Sequence, residues 1–194
     1  MSIIDVDYYN KNRGIYSELI EHNGCICGYW LVGNDYRNKS SYYGTYPPNY
    51  LKRVRLLFPR YEEHRVLHVF SGVVEKEKNE MKLDINPALN PEILGNAEEM
   101  PIKSNRFDII LADPPYEKSD SERYGCKHPN KKKVIKECAR VLNKDGVLVW
   151  LDTRIPMWAK ADGWKLRGTI GFNQSTQHRT RTITILEKSN EPTR

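Results

Sequence analysis

The sequence predicts an α/β fold built on an open, mostly parallel sheet, and two features of the text carry that expectation. Short apolar runs in the middle of the chain each end in a small or acidic residue. "RVLHVFSG", "MKLD", "EILGNA" and "FDIILAD" close on Ser71-Gly72, Asp84, Asn96 and Asp113. In open α/β sheets ligands bind outside the carboxyl ends of the strands, where strand order reverses, so these residues would line one functional edge. An amphipathic segment then follows the fourth run, with Val134, Ile135, Cys138, Val141 and Leu142 on its inward face.

Taken in order, residues 1–63 mix aromatics, glycine and charge without a clean period and read as an N-terminal extension packed on a core of residues 64–188. Within it "YPPNYLKRVRLLFP" holds a helix, with Pro48 as an early helical residue. Leu51, Val54, Arg55 and Phe58 recur at three and four, and Pro59 is the stop. Between the first two strands, "VVEKEKNE" is barely long enough for two turns, so the first crossover is expected to be shortened or replaced by a loop. A polar, lysine-rich loop runs from Asp113 through "KHPNKKK" to the helix "KVIKECARVL". "NKDG" ends that helix with Gly146 at its C-cap. "VLVWLD" is a fifth strand, "RTRTITILEK" alternates as a last one, and residues 189–194 read as a flexible polar tail.

With 194 residues, 39% of them hydrophobic, the chain can form one domain with a sizeable core. Its 31 Lys and Arg against 25 Asp and Glu leave +6, a balance that suits a polyanionic partner without requiring one. The opening "MSIIDVDYYNKNRG" is polar within a few residues and no apolar run spans a bilayer, so no membrane partner and an intracellular home are expected. Four cysteines are too few for a disulfide scaffold. His22, Cys25, Cys27, Cys126 and His128 are soft ligands, but Cys-x-Cys departs from the spacing of structural zinc sites and no metal is expected.

"DIILADPPYEKS" runs a buried strand straight into an acid, two prolines and a tyrosine. "HVFSG", "LDINP", "GNAEEMP" and "DIILADPPY" follow in the order found in S-adenosylmethionine-dependent amino-methyltransferases, and the chain resembles that family over Tyr46 to Leu151. Asp-Pro-Pro-Tyr at a strand end resembles the signature of the group acting on adenine N6. The resemblance implies a Rossmann-like class I methyltransferase fold, with a mostly parallel seven-stranded-type sheet. It also implies S-adenosylmethionine as cofactor and adenine in DNA as target, in the manner of the stand-alone modification enzymes of phages.

Physical chemistry gives that motif a purpose. An exocyclic amine is a poor nucleophile because its lone pair is delocalised into the ring. Accepting both amine hydrogens favours a pyramidal nitrogen. Asp113 can accept one through its carboxylate and Pro114 the other through its carbonyl, which Pro115 holds in direction. Tyr116 offers a face on which the base stacks, offsetting part of the cost of unstacking it. The alternative is a strand-to-loop turn with no chemistry. On the cofactor side the resemblance implies Phe70, Ser71 and Gly72 as the glycine-bearing loop, although Val74 stands where a second glycine is usual. It implies Asp84 as the acid on the ribose hydroxyls, alternatively a strand-end cap, and Asn96 with Ala97 beside the adenine ring. Tyr46 and Pro47 would close over the methionine end or simply start a helix, and Asp113 borders the cofactor as well.

The stretch after the fifth strand is too short for a separate sequence-reading domain. Target contacts would therefore fall to the extension, the loop after Tyr116 and the end of the chain. Lys131, Lys132, Lys133 and "QHRTR", with Arg179 and Arg181, can meet phosphates or form a solvated face. Two other readings are an RNA base methyltransferase of similar fold and a non-catalytic nucleic-acid-binding module on a decayed methyltransferase fold. The intact Asp113 argues against the second. Oligomeric state is not legible.

Overall fold

A computed structural model describes residues 2–33, 44–175 and 179–189. The first helix, α1 (Val6–Asn12), starts where Asp5 accepts a 2.8 Å hydrogen bond from the Tyr8 amide. A hairpin follows, β1 (Leu19–His22) and β2 (Cys25–Val32), turning through Asn23 and Gly24. Both turn residues have positive φ, as a two-residue hairpin turn requires. Then come α2 (Tyr50–Arg55), β3 (Val66–Val69), β4 (Glu80–Asp84), β5 (Ile93–Leu94) and β6 (Phe107–Ala112). The chain continues through α3 (Lys118–Arg123), α4 (Lys131–Val141), β7 (Leu142–Asp152), β8 (Trp164–Gln174) and β9 (Arg181–Lys188).

Among the described residues, nine strands form one sheet in the order β1-β2-β8-β9-β7-β6-β3-β4-β5. The run from β5 to β8 is the expected mostly parallel seven-strand sheet, with β9 the antiparallel member. No helix lies between β3 and β4, in agreement with the short first crossover. The N-terminal hairpin extends this sheet, because β2 pairs in parallel with β8. Helices α1 and α2 bring Val6, Tyr9, Tyr50 and Val54 onto one face, against Val66, Ile109, Leu111 and Ile183. Helix α4 brings Val134, Ile135 and Cys138 onto the other, against Leu67, Ile110, Leu148 and Trp150. Successive strand residues serve opposite faces, the period-2 rule of a sheet buried on both sides.

Several elements differ from the sequence reading. The α2 helix starts at Tyr50, with Asn49 left-handed ahead of it, so Pro48 lies in the preceding turn. The third strand shrinks to Ile93–Leu94 and Asn96 falls beyond it, in a tight bridge with Glu99. Gly146 is not a C-cap: α4 ends at Val141, Asp145 takes the positive φ, and Gly146 lies inside β7. A Cβ there would sit 2.9 Å from the Asn143 carbonyl and 3.2 Å from that of Asp108. Strand β8, unread in the sequence, carries Gly168 and Gly171, where a Cβ would meet Ile26 and the Tyr29 ring within 2.6 Å. Close approach of β2 excludes a side chain at both. Of the expected tail, residues 190–194 lie outside the described residues, as do Gln177 and His178.

Two arginines fasten the N-terminal segment. Arg167, at the bulge in β8, pairs with Glu21 at 2.9 Å and Glu187 at 3.7 Å and donates to the Gly24 carbonyl. Arg53 donates to the Leu31 carbonyl at 3.0 Å, its guanidinium 4.4 Å from the centre of the Tyr16 ring. A third fastening is ionic and sealed. The fully buried Glu80 carboxylate accepts from Arg55 at 2.9 Å, from the Tyr61 hydroxyl at 2.6 Å and from the Glu77 amide at 2.7 Å. His68 Nε2 lies 3.3 Å from it. Burial pushes the Glu80 pKa up, but the His68 and Tyr61 contacts and the Glu77 amide outweigh it and hold the acid at about 2.

Removing one member of a buried ion pair costs about 3–5 kcal/mol, and Glu80→Gln should lower the urea midpoint accordingly. The depressed pKa makes the Glu80 contribution complete above pH about 4.5 and lost as pH falls toward 2. Acid therefore costs the wild type more stability than it costs Glu80→Gln over that window, which urea titrations across the pH range would measure.

Candidate active site

Strand register brings three of the predicted residues into a row. Val69 of β3 pairs with Leu83 of β4 on one side and with Ala112 of β6 on the other. The next residues, Phe70, Asp84 and Asp113, therefore leave the sheet side by side at its carboxyl edge. Strand order reverses between β3 and β6, which is the switch point where open α/β sheets bind ligands.

The loop after β3 is shaped for close approach to a ligand. Phe70 has φ 60° and Gly72 φ 53°, so the left-handed positions lie at 70 and 72 and Val74 needs none. A non-glycine residue held there is strained, a cost met at functional sites. The Asp84 carboxylate fixes the loop by accepting from the Gly72 and Asn86 amides, each at 3.0 Å. The cap role is thus present in the geometry, and each oxygen keeps a second lone pair. Ser71 is buried and its hydroxyl has no hydrogen-bond partner within the protein, which is costly unless a ligand supplies one. These residues fit S-adenosylmethionine: a polar loop for the methionine end and an acid for the ribose hydroxyls.

Asn96 is exposed and its side chain accepts from the Glu98 amide at 2.9 Å, while Ala97 is buried. Helix α4 anchors this wall: Glu137 accepts from the Met100 amide, and Arg140 donates to the Met100 and Ile102 carbonyls. Tyr46 lies beneath the edge, its hydroxyl donating to the Leu111 carbonyl at 3.2 Å and lying 3.2 Å from His68 Nδ1. Pro47 accepts from the Tyr50 amide and so forms the turn into α2. Pro114 and Pro115 are buried.

The Tyr116 hydroxyl donates to Asp113 Oδ1 at 2.7 Å. The Asp113 pKa is pushed up to about 7, chiefly by burial; Tyr116, Arg181 and Lys131 act against it and Asp152 adds to it. The guanidinium groups of Arg179 and Arg181 lie 5.8 and 5.6 Å from the centre of the Tyr116 ring. Arg179 also pairs with Asp120 at 3.4 Å. Lys131 turns inward onto Asp152 and the Tyr116 carbonyl, whereas Lys132 is exposed and Lys133 stands 3.8 Å from Glu98. Sequence reasoning missed Asp152, although it closes "VLVWLD" just as Asp84 and Asp113 close their strands. It also missed Tyr50, whose buried hydroxyl has no protein partner and whose pKa is driven far up by burial and then by Asp113. No cluster of His, Cys, Asp and Glu suited to a metal ion occurs among the described residues. No helix among them is long and apolar enough to cross a membrane.

Residues 68–150 match the sequence model of a family described as a methyltransferase domain. The fold is that of a class I methyltransferase, and its cofactor is S-adenosylmethionine. Solved structures similar to this chain include TrmN from Thermus thermophilus, at 17% identity and TM-score 0.46, matched over 64% of this chain and 44% of that one. The match thus spans under half the length of TrmN. A TehB-like methyltransferase from Corynebacterium glutamicum is 14% identical with TM-score 0.47, over 70% and 85%. An S-adenosylmethionine-dependent methyltransferase from Methanosarcina mazei is 11% identical with TM-score 0.43, over 66% and 93%. No match was found among curated proteins.

Because Asp84 both shapes the loop and faces the cofactor edge, Asp84→Ala should weaken S-adenosylmethionine binding roughly tenfold or more, the scale of one charged hydrogen bond. Ser71→Ala should weaken it less and leave stability unchanged or higher, since it removes a buried hydroxyl lacking a protein partner. Calorimetric titration with the demethylated cofactor, beside thermal melts, checks both.

Proposed function

We propose that this methyltransferase acts on the exocyclic N6 amine of adenine in DNA. One observation carries the reading: Asp113, Pro114, Pro115 and Tyr116 form the turn beside the cofactor loop, with an acid, a proline-fixed carbonyl and a ring on one short segment. S-adenosylmethionine supplies, when bound, a sulfonium methyl as electrophile. The protein's part is to hold the amine in line with it. The Asp113 carboxylate and the Pro114 carbonyl each accept one amine hydrogen, which frees the nitrogen lone pair. Methylated nitrogen carries a positive charge and sheds a proton, and a carboxylate with a pKa near 7 is matched to receive it and pass it to water. Tyr116 presents its ring to the base, and its hydroxyl gives up the Asp113 oxygen to the amine. Arg179, partly exposed and shared with Asp120, sets positive charge beside that ring where a phosphate backbone would approach, whereas Arg181 is buried and lends its charge to the ring and to Asp113.

Asp113→Ala should retain cofactor binding and lose methyl transfer by roughly 100- to 1,000-fold, the scale of one preorganised hydrogen-bonding group. The assay uses labelled S-adenosylmethionine with duplex DNA, single-stranded DNA or RNA, and identifies the product nucleoside by mass. N6-methyladenine from DNA supports the reading; label found only in RNA, or in another nucleoside, overturns it. Since the carboxylate is the accepting form, wild-type kcat/KM should rise with pH to a plateau above about 7.

The same raised pKa fixes a stability trend. Between pH about 4 and 7 the folded protein holds a proton at Asp113 that the unfolded chain does not, so the stability contributed there falls as pH rises. Asp113→Asn should therefore raise Tm more at pH 8 than at pH 5.5, and equal gains at both would remove the buried-acid account.

A further inference from the structure

Lys131 is the first residue of α4, and its ammonium is aimed back at the sheet. It donates to Asp152 Oδ2 at 2.7 Å and to the Tyr116 carbonyl at 3.1 Å. Asp152 ends β7 with its side chain only 2% exposed. Its remaining capacity is spent locally: Trp150 Nε1 donates to Oδ2 at 3.2 Å, and the Thr153 amide donates to Oδ1 at 2.7 Å. Asp152 is therefore a fixed anchor, and a buried carboxylate of this kind demands a cation. Lys131 meets that demand and spends another hydrogen on the peptide that closes the Asp113–Tyr116 turn.

The two prolines contribute no amide hydrogen at 114 and 115, so the middle of that turn cannot be tied down through its own main-chain donors. Strand β6 holds the start of the turn and Lys131 holds its end. We infer that Lys131 is a positioning residue of the methyl-transfer site, fixing the Tyr116 peptide against Asp152 so that the Asp113 and Pro114 acceptors meet the amine in line with the methyl. This rests on the adenine-amine reading and alters one part of the sequence expectation, which set Lys131 among phosphate contacts with Lys132 and Lys133. Two of the three ammonium hydrogens are committed to a buried carboxylate and a carbonyl, and the charge is met by Asp152 rather than left for a phosphate.

The test compares Lys131→Met and Lys131→Arg with wild type. A positioning role predicts that Lys131→Met loses about 10- to 100-fold in kcat, the scale of a small misplacement of reacting groups. KM for cofactor, nucleic-acid affinity and its salt dependence should remain at wild-type values, and Lys131→Arg should recover part of kcat. Hydrogen exchange at the Tyr116 and Glu117 amides should quicken in Lys131→Met while the β6 and β7 amides stay protected. Should that variant fail to fold, Lys131→Gln, which keeps a donor at shorter reach, carries the same comparison. Unchanged kcat in a folded variant overturns the inference. A salt slope flattened by about 0.9 overturns it in favour of a phosphate contact. If the wild type methylates no nucleic acid, the adenine reading falls, and the exchange rates at 116 and 117 alone decide whether Lys131 holds the turn.

Discussion

Glu80 opens β4 with its carboxylate sealed from water, and the groups converging on it come from four separate parts of the chain. Arg55 arrives from the end of α2, Tyr61 from the turn after it, His68 from β3 and the Glu77 amide from the loop before β4. A buried carboxylate left alone would be far more costly than any single contact here is worth, so the N-terminal helices and the central strands can only pack in the arrangement that satisfies it. The consequence reaches the site. His68 lies between Glu80 and the Tyr46 hydroxyl, and that hydroxyl donates to Leu111, two residues before Asp113. The floor under the Asp113–Tyr116 turn is therefore referenced to the same carboxylate that locks the extension to the sheet.

The two acids show how burial is turned to opposite ends. Glu80 is sealed from water and Asp113 is half-buried, and desolvation alone would raise the pKa of both. Glu80 is met by a bidentate guanidinium, a phenol, an imidazole and an amide, and it stays ionised well into acid. Asp113 receives one phenol hydrogen, and Asp152 lies near enough to oppose its ionisation, so its pKa rises to about 7. A fully satisfied carboxylate would have no lone pair left for an amine. Under-satisfaction at Asp113, like the left-handed φ at Phe70, is a stability cost placed at the switch point, the position where open α/β sheets bind ligands.

The parts of the molecule legible in the sequence were those whose signal is local and periodic. Strands β3, β4, β6 and β7 announce themselves as apolar runs ending in small or acidic residues, and α4 as an amphipathic stripe. From those ends alone the row of Phe70, Asp84 and Asp113 follows. The N-terminal hairpin carried a local signal as well, Asn23-Gly24 between β1 and β2, but short strands of mixed character around it hid the turn. Strand β8 was hidden for a different reason. Its two glycines read as breakers, whereas they answer to a partner strand more than a hundred residues earlier in the chain, and nothing local encodes that approach. The inward turn of Lys131 is likewise a long-range fact, since "NKKK" looks like a solvated run until Asp152 is placed beside it.

That long-range pairing also explains how a sheet with so few crossover helices is covered. Only α3 and α4 fall between consecutive parallel strands, and the connections after β3, β4 and β7 contain at most short 3-10 turns. A sheet left bare on one face would expose Val66, Ile109, Leu111, Val149 and Ile183, all of which are fully buried. The first sixty residues supply the missing layer through α1 and α2, and β2 keeps them in place by joining the sheet at β8. Arg53 and Arg167 then tie β2 to α2 and β1 to the β8–β9 pair, so the covering layer is fastened at both of its margins. The N-terminal segment is in this sense part of the core. Tyr46 and Tyr50 reach the carboxyl edge of the sheet because the layer that carries them has to lie there to bury the sheet.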